Sequence, residues 1–164
     1  MYINLKKSEF LLEDIQYLGH IISNSGIRMD LEKLEVIKTW PILKNIHELC
    51  SFIRMCAYYC CFIAHFSSIA RPLHDLTKKN VRFIWLDKQE EAFKMLKEKL
   101  ILQLVLVLPD LAKPFEVHCD ACKHSLGAVL LQEGRAIAYE SRRLNDHEKN
   151  LGIYEKELLL LCMP

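Results

Sequence analysis

Two acids in this chain stand where their type and spacing could do chemistry, Asp120 and Glu157. Phe115, Val117 and Cys119 alternate with Glu116, His118 and Asp120, the period of a half-buried strand, which puts Asp120 at the strand's end on its polar face. Glu157 falls on a stretch from about Asp146 to Cys162 whose apolar residues Leu151, Tyr154, Leu158 and Leu161 recur at helical spacing, with Glu157 on the flank of that face. A strand-borne and a helix-borne carboxylate placed in this way can meet over one sheet edge. Taken singly, the same residues read as an aspartate that opens a turn and a solvated helical glutamate, and at this level both readings stand.

A second chemical candidate overlaps the first. Cys119-Asp-Ala-Cys122 spells C-x-x-C between His118 and His124. Redox pairs of this form open a helix, whereas this one closes a strand, and a structural zinc site wants four ligands. No second C-x-x-C exists in the chain, and His118 and Cys119 should point to opposite faces of their strand. Small buried thiols are the default expectation.

The elements that must position the two acids are legible on either side. After the strand ending at Asp120, a polar turn through Lys123, His124 and Ser125 leads to a second strand, Leu126 to Leu131, stopped by Glu133 and Gly134, and a third strand runs from Ala136 to Ser141. Asn145-Asp-His-Glu148 has the form of a capping box and opens the helix that carries Glu157.

Earlier in the chain, Tyr2 to Phe10 has no clear period, Asp14 to Ser23 reads as one strand, and Asn24-Ser-Gly26 turns it into Ile27-Arg-Met29, a hairpin. Asp30 can cap a helix through Leu31, Leu34 and Ile37 that stops at Trp40-Pro41, because proline lacks the amide and disfavours helix before it. Asn45-Ile-His-Glu48 repeats the capping pattern ahead of Leu49, Phe52, Ile53 and Cys56, with Tyr58 and Tyr59 near that helix's end. A fresh helix near Ser67 or Ser68 places Pro72 in its first turn. Phe83-Ile-Trp85 is a short strand or plug, Asp87 opens a helix bearing Phe93, Leu96 and Leu100, and Leu102 to Leu108 is a tether ended by Pro109-Asp110.

Composition sets limits on partners and compartment. A formal charge of +1 gives no overall pull toward nucleic acid, so any basic contact must be local. Seven cysteines, an odd number, and no apolar leader point to a reducing compartment, cytoplasmic or nuclear. No apolar run is long enough to cross a bilayer, so no membrane partner is expected.

Phe115-Glu-Val-His-Cys-Asp-Ala, Leu126-Gly-Ala-Val-Leu-Leu-Gln132, Ala138-Tyr-Glu-Ser-Arg142 and Tyr154-Glu-Lys-Glu-Leu158, in this order, resemble the start of the ribonuclease H domain of gypsy-class long-terminal-repeat retrotransposon Pol polyproteins. Upstream, Tyr17-Leu-Gly-His20 is similar to the segment where the reverse transcriptase palm of that family grips the primer. Glu48-Leu-Cys-Ser-Phe52, Tyr58-Tyr59, Phe62-Ile63, Phe66-Ser67 and Ile69-Ala-Arg-Pro-Leu73 are similar to its thumb. The resemblance covers nearly the whole chain and implies an α+β fold. A palm end with a β-hairpin (1–29), thumb-like helices (30–82) and a connection (83–110) are then followed by a truncated ribonuclease H-like fold of three antiparallel strands and one helix (111–164).

The resemblance implies parent activities of RNA-directed DNA synthesis and hydrolysis of RNA in RNA–DNA hybrids. It matches Asp120 and Glu157 to the first two of four catalytic carboxylates, with magnesium as cofactor, because paired divalent cations must be bridged by several acidic oxygens. It makes Tyr17, Gly19, His20, Tyr58, Arg71 and Lys78, with Lys79 and Arg82, candidates for binding a hybrid or primer–template duplex, and the remainder of a Pol polyprotein a candidate partner. Palm aspartates and later nuclease carboxylates are absent from the 164 residues, so the chain is expected to be inactive alone. The alternative is a non-catalytic nucleic-acid-binding module built on the thumb helices. Departures from the family pattern at Ile53-Arg54 and Cys60-Cys61 are expected to weaken phosphate contacts on the thumb.

Overall fold

Two three-stranded antiparallel sheets are joined through a cluster of helices in the computed structural model, which describes residues 12–102 and 105–161. Tyr2 to Phe10, Leu104 and Cys162 lie outside the described residues.

The N-terminal sheet is a meander of β1 (Asp14–Tyr17), β2 (His20–Ser23) and β3 (Gly26–Met29). The single strand expected over Asp14 to Ser23 is therefore two strands, with Tyr17 facing His20 across a two-residue turn. Leu18 and Gly19 both take left-handed backbone angles, φ 48° and 79°, the combination whose twist matches a tight hairpin. Gly26 marks the other end of the sheet. A Cβ there would lie 2.1 Å from the Leu106 carbonyl oxygen, because Ile27 and Leu106 exchange two backbone hydrogen bonds.

Asp30 caps α1 (Leu31–Lys38), accepting from the Glu32 amide at 3.1 Å while its other oxygen takes the Gln16 side chain. Asn45 caps α2 (Ile46–Tyr58) by accepting from the Glu48 amide at 2.9 Å, and Glu48 accepts in return from the Lys44 amide at 2.8 Å. Pro72 does sit in the first turn of a helix, although the helical stretch comes in two short pieces, α3 (Phe66–Ile69) and α4 (Arg71–Leu76). Phe83 and Trp85 form no strand. They pack as a plug on the helical core, and the Trp85 indole donates to Glu90 at 2.8 Å in the first turn of α5 (Asp87–Ile101). Leu34, Ile37, Leu49, Phe52, Leu73 and Leu96 are the deeply buried centre, with the Phe52 and Phe93 rings 4.7 Å apart.

The second sheet runs β4 (Glu116–Ala121), β5 (Ser125–Gln132) and β6 (Arg135–Arg143) in sequence order. Its two faces do different work. Tyr139 and Ala136 pack against the helical core, while Cys119, Ala121, Leu126 and Ala128 form a second cluster with Leu144 and Leu159. The helices are fastened to the first face at α3, where the Ser67 amide donates to Ser141 Oγ at 2.9 Å and Ser67 Oγ donates to the Ser141 carbonyl at 2.8 Å. Within the tether, Val107 donates to the Ala136 carbonyl at 2.9 Å beside the Leu106–Ile27 pair, so a few residues stitch the two sheets together.

The last helix departs from expectation. α6 spans Ile153–Leu161 instead of starting near Asp146, and a single 3-10 turn, Glu148–Asn150, precedes it. Asn145 and Glu148 do make the reciprocal capping bonds, at 2.8 and 2.9 Å. The chain then extends at Leu151, and Gly152, a poor helix former, takes a new cap through its amide to Glu155 at 2.7 Å. Tyr154 and Leu158, expected on the buried face, are 83% and 61% exposed. Lys156 is buried in their place, and its ammonium donates to the Lys149 carbonyl at 3.0 Å.

Phe52→Ala, which empties a site with no solvent exposure, should cost about 3–5 kcal/mol in chemical denaturation; a loss below ~1 kcal/mol would contradict this core. Glu148 supplies a pH test. Arg142 donates to it at 2.7 and 2.9 Å, and this hydrogen bonding, with that from Asn145, lowers its pKa from 4.5 to about 2. A depressed carboxylate stabilises the fold above its unfolded pKa and loses that contribution as pH falls through its folded value. Thermal midpoints measured from pH 5 down to about pH 2 should therefore fall more steeply for the natural chain than for Glu148→Gln, and parallel curves would contradict the pairing.

Candidate functional site

The residues proposed from sequence to meet nucleic acid separate into two groups. Tyr17, Gly19, His20 and Tyr58 come together at the tip of the β1–β2 hairpin. Tyr17 and Tyr58 are 60% and 51% exposed, and Leu18 between them in space is 69% exposed. Tyr58 Oη donates to the Leu18 carbonyl at 2.5 Å, and Tyr59 Oη donates to the Gly19 carbonyl at 3.2 Å. The left-handed turn is thereby tied to the C-terminal end of α2. A Cβ on Gly19 would sit 2.8 Å from Tyr59 Oη, so the glycine serves both the turn's conformation and the close approach of the tyrosine.

His20 stacks on Tyr58 and on Phe62 with ring centroids 5.4 and 5.7 Å apart, and meets the Tyr59 ring edge-on at 5.3 Å. Burial lowers its pKa, and Nδ1 is enclosed without a hydrogen-bond partner. A neutral imidazole in an aromatic stack follows. Burial also raises the pKa of Tyr59, with Tyr58 and Asp30 adding to the shift, so its hydroxyl remains a protonated donor to the turn. Tyr59 carries no chemical signature in the sequence apart from its neighbour, and its role as the tie to Gly19 is visible only in the structure.

Arg71 and Lys78 lie elsewhere. Lys78 pairs with Asp75 at 2.9 Å, and Asp75 also takes Arg143 at 3.3 Å from the end of β6. Arg71 is close enough to His124, in the β4–β5 turn, to oppose its protonation. Lys79 and Arg82 are exposed beyond α4. On α2 the departures from pattern have plain outcomes. Ile53 is core and Arg54 is exposed, while Cys60 and Cys61 are half-buried thiols whose pKa values burial pushes up.

Asp120 stands near the C-terminal end of β4, exposed, with His65 Nδ1 3.7 Å from its carboxylate and Cys122 Sγ at 4.0 Å. His65 carries no signal in the sequence. It occupies a left-handed position, φ 59°, just before α3, and its ring rests where a Cβ on Gly127 would lie 3.2 Å from Nδ1. His65, Asp120 and Gly127 border a cavity of about 150 Å³ that also touches Ala64, Val129 and Tyr139. Glu157 is half-buried on α6. Desolvation and then the charge of Glu157 raise the pKa of the Cys119 thiol, which places this acid on the α6 side of the sheet. Strand alternation puts Cys119 and Asp120 on opposite faces. The two carboxylates thus approach β4, an outer strand of the described sheet, from either side.

Carboxylate oxygens are the hard donors that magnesium takes. Among the described residues, however, no three His, Cys, Asp or Glu side chains gather closely enough to hold a metal ion. Asp120 and Glu157 therefore do not by themselves make a magnesium centre. Desolvation and the charge of Glu157 hold the Cys119 thiol above its ordinary pKa, away from the reactive thiolate form. No helix among the described residues is long and apolar enough to cross a membrane.

Residues 85–163 match the family described as an RNase H-like domain found in reverse transcriptase. The Pol polyprotein of transposon 297 of Drosophila melanogaster is 39% identical over 97% of this chain, and that of transposon gypsy from the same organism is 35% identical over 98%. The chain spans 15% and 17% of those two relatives. A mitochondrial protein of Arabidopsis thaliana, described as uncharacterized, is 43% identical over 70% of this chain and 73% of its own length. The foamy viral protease-reverse transcriptase, solved in complex with an RNA/DNA hybrid, superposes with a TM-score of 0.83 over 96% of this chain and 22% of that protein, at 23% identity, which shows a shared fold. The chain is homologous to the reverse transcriptase and RNase H region of gypsy-type retrotransposon Pol polyproteins.

Proposed function

We propose that this part of Pol holds an RNA–DNA hybrid or primer–template duplex and presents it toward the nuclease strand, and that by itself it does not cut. The observation that carries the reading is the joining of the β1–β2 turn to α2: Tyr58 and Tyr59 fix the Leu18–Gly19 turn while leaving the rings of Tyr17 and Tyr58 exposed. Aromatic faces and a rigid backbone turn suit a sugar-phosphate strand, for which phosphate contacts position and stacking adds area. That the foamy viral protein was solved with an RNA/DNA hybrid supports the same reading.

On this reading residues 1–29 are the palm end, 30–82 the thumb, 83–110 the connection and 111–164 the opening of the RNase H domain. Asp120 and Glu157 serve as two of several carboxylates for the divalent metal that this family generally uses. With no group of three His, Cys, Asp or Glu able to hold a metal ion among the described residues, the water-activating arrangement is not made by these residues alone.

Hybrid binding by the purified chain tests the proposal. Tyr58→Ala, which removes both the exposed ring and the bond to Leu18, should weaken binding about ten-fold, in the range of ~1–3 kcal/mol for the removal of one stacking residue. Gly19→Ala, which disturbs the turn, should weaken it as well; indifference to both would remove the interface. In the same samples, magnesium-dependent cleavage of the RNA strand should be absent, and cleavage that disappears in Asp120→Asn would overturn the claim that the chain does not cut.

A further inference from the structure

The two outer strands of the second sheet are finished differently. β6 is covered, because its Ala136 carbonyl takes the Val107 amide and its Ser141 carbonyl takes Ser67 Oγ. Its ladder with β5 also carries a register shift at Leu130/Leu131. Coverings and bulges of this kind keep a sheet edge from pairing with another chain. β4 pairs with β5 without a shift, and among the described residues no backbone bond covers its other side.

The ladder fixes which backbone groups of β4 are open. The Cys122 amide donates to the Ser125 carbonyl at 2.9 Å, one step beyond the Ala121 and Leu126 pair. Alternate residues of a strand aim their amide and carbonyl to the same side, so Glu116, His118 and Asp120 bond toward β5. Phe115, Val117 and Cys119 then aim theirs outward. Their side chains share the face on which Cys119 packs with Leu159, and those of Phe115 and Val117 are exposed there. Two such edges can pair only with odd-numbered residues opposite odd-numbered ones. Centred on Val117, an antiparallel pair sets Val117 against its own copy, Phe115 against Cys119 of the second copy, and Glu116 against His118 of the second copy at both ends. Centring on Glu116 or on His118 instead sets Glu116 against a second Glu116 or against Asp120, and like charges directly opposite destabilise a ladder. Of these three registers, the one centred on Val117 therefore matches carboxylate with imidazole, and it buries valine and phenylalanine on the other face.

We propose that β4 takes β4 of a second copy of this chain, antiparallel and centred on Val117, which joins two three-stranded sheets into one continuous sheet. The outward amides and carbonyls of Phe115, Val117 and Cys119 are satisfied in both copies at once, as a two-fold contact requires. The contact uses the first half of β4, whereas His65 meets Asp120 near its other end. It does not depend on the duplex-holding function above.

Sedimentation equilibrium of the full chain, without nucleic acid and across the micromolar range, is the test. The mass should rise with concentration from 19.2 kDa toward twice that value. Val117→Lys, at an exposed position, sets two ammonium groups opposite each other and should hold the mass at that of one chain. Glu116→Arg and His118→Glu each place like charges opposite in this register and should raise the dissociation constant about ten-fold. The double variant Glu116→Arg/His118→Glu puts opposite charges back together and should return the constant close to its natural value. Thermal midpoints establish that the variants fold. A natural chain that keeps the mass of one chain throughout overturns the proposal and leaves the edge to a strand from elsewhere in Pol. A mass that climbs past two chains overturns it too, as does a double variant that associates no better than the single ones, which would place the contact on another surface or in another register.

Discussion

Two tyrosine hydroxyls hold the β1–β2 hairpin tip to the end of α2. Tyr58 and Tyr59 end α2, and their donation to the Leu18 and Gly19 carbonyls is what makes a hairpin tip and a helix terminus a single surface. The Leu18 carbonyl accepts from Tyr58, and the Gly19 carbonyl accepts both from Tyr59 and from the Asp30 amide at 3.1 Å, so neither acceptor of the turn is left unpaired. Neighbouring residues on a helix diverge by about 100°, so two adjacent tyrosines can reach two adjacent carbonyls only if the helix end lies across the turn. His20 fills the space between, stacked on Tyr58 and Phe62. The hairpin cannot shift register or swing without breaking both bonds and the stack.

From that fixed tip the structure is continuous to the carboxylates. α2 is core with α1 and α5, α3 is fastened to β6 through Ser67 and Ser141, and His65, immediately before α3, rests against Asp120. The Leu106 rung adds a second tie between the sheets. Positions on the thumb-like helices and on β4 are thereby set relative to each other by packing and by short hydrogen bonds. This gives physical content to the idea of a strand led from one part to the other. Glu157 stands apart on α6, whose outer face keeps Tyr154 and Leu158 in solvent.

Legibility from sequence followed locality. Asp30, Asn45 and Trp40-Pro41 mark helix ends because a cap or a proline acts within a few residues, and the first strand of the second sheet shows its alternation directly. The Leu18–Gly19 turn was hidden because leucine seldom takes a positive φ, and only the tyrosines 40 residues away account for it. The late start of α6 was hidden for a related reason: Asn145 and Glu148 form a real capping box that closes on one turn, after which Gly152 and Glu155 begin again. Asp120 and Glu157 were identifiable by resemblance, but His65 beside Asp120 is a long-range contact with no signature in one sequence. The separation of Arg71 and Lys78 from the tyrosines likewise depends on how α4 meets β6.

The claim at the centre is that the hairpin tip and the end of α2 receive nucleic acid as one body. Amide hydrogen exchange of the full chain, with and without an RNA–DNA hybrid, tests it most directly. The account predicts that amides of Leu18 to His20 and of Tyr58 and Tyr59 gain protection together on adding hybrid, and that Tyr59→Phe, which breaks the tie to Gly19, uncouples the two segments. Protection confined to one segment in the natural chain, or falling on α5 instead, would contradict it.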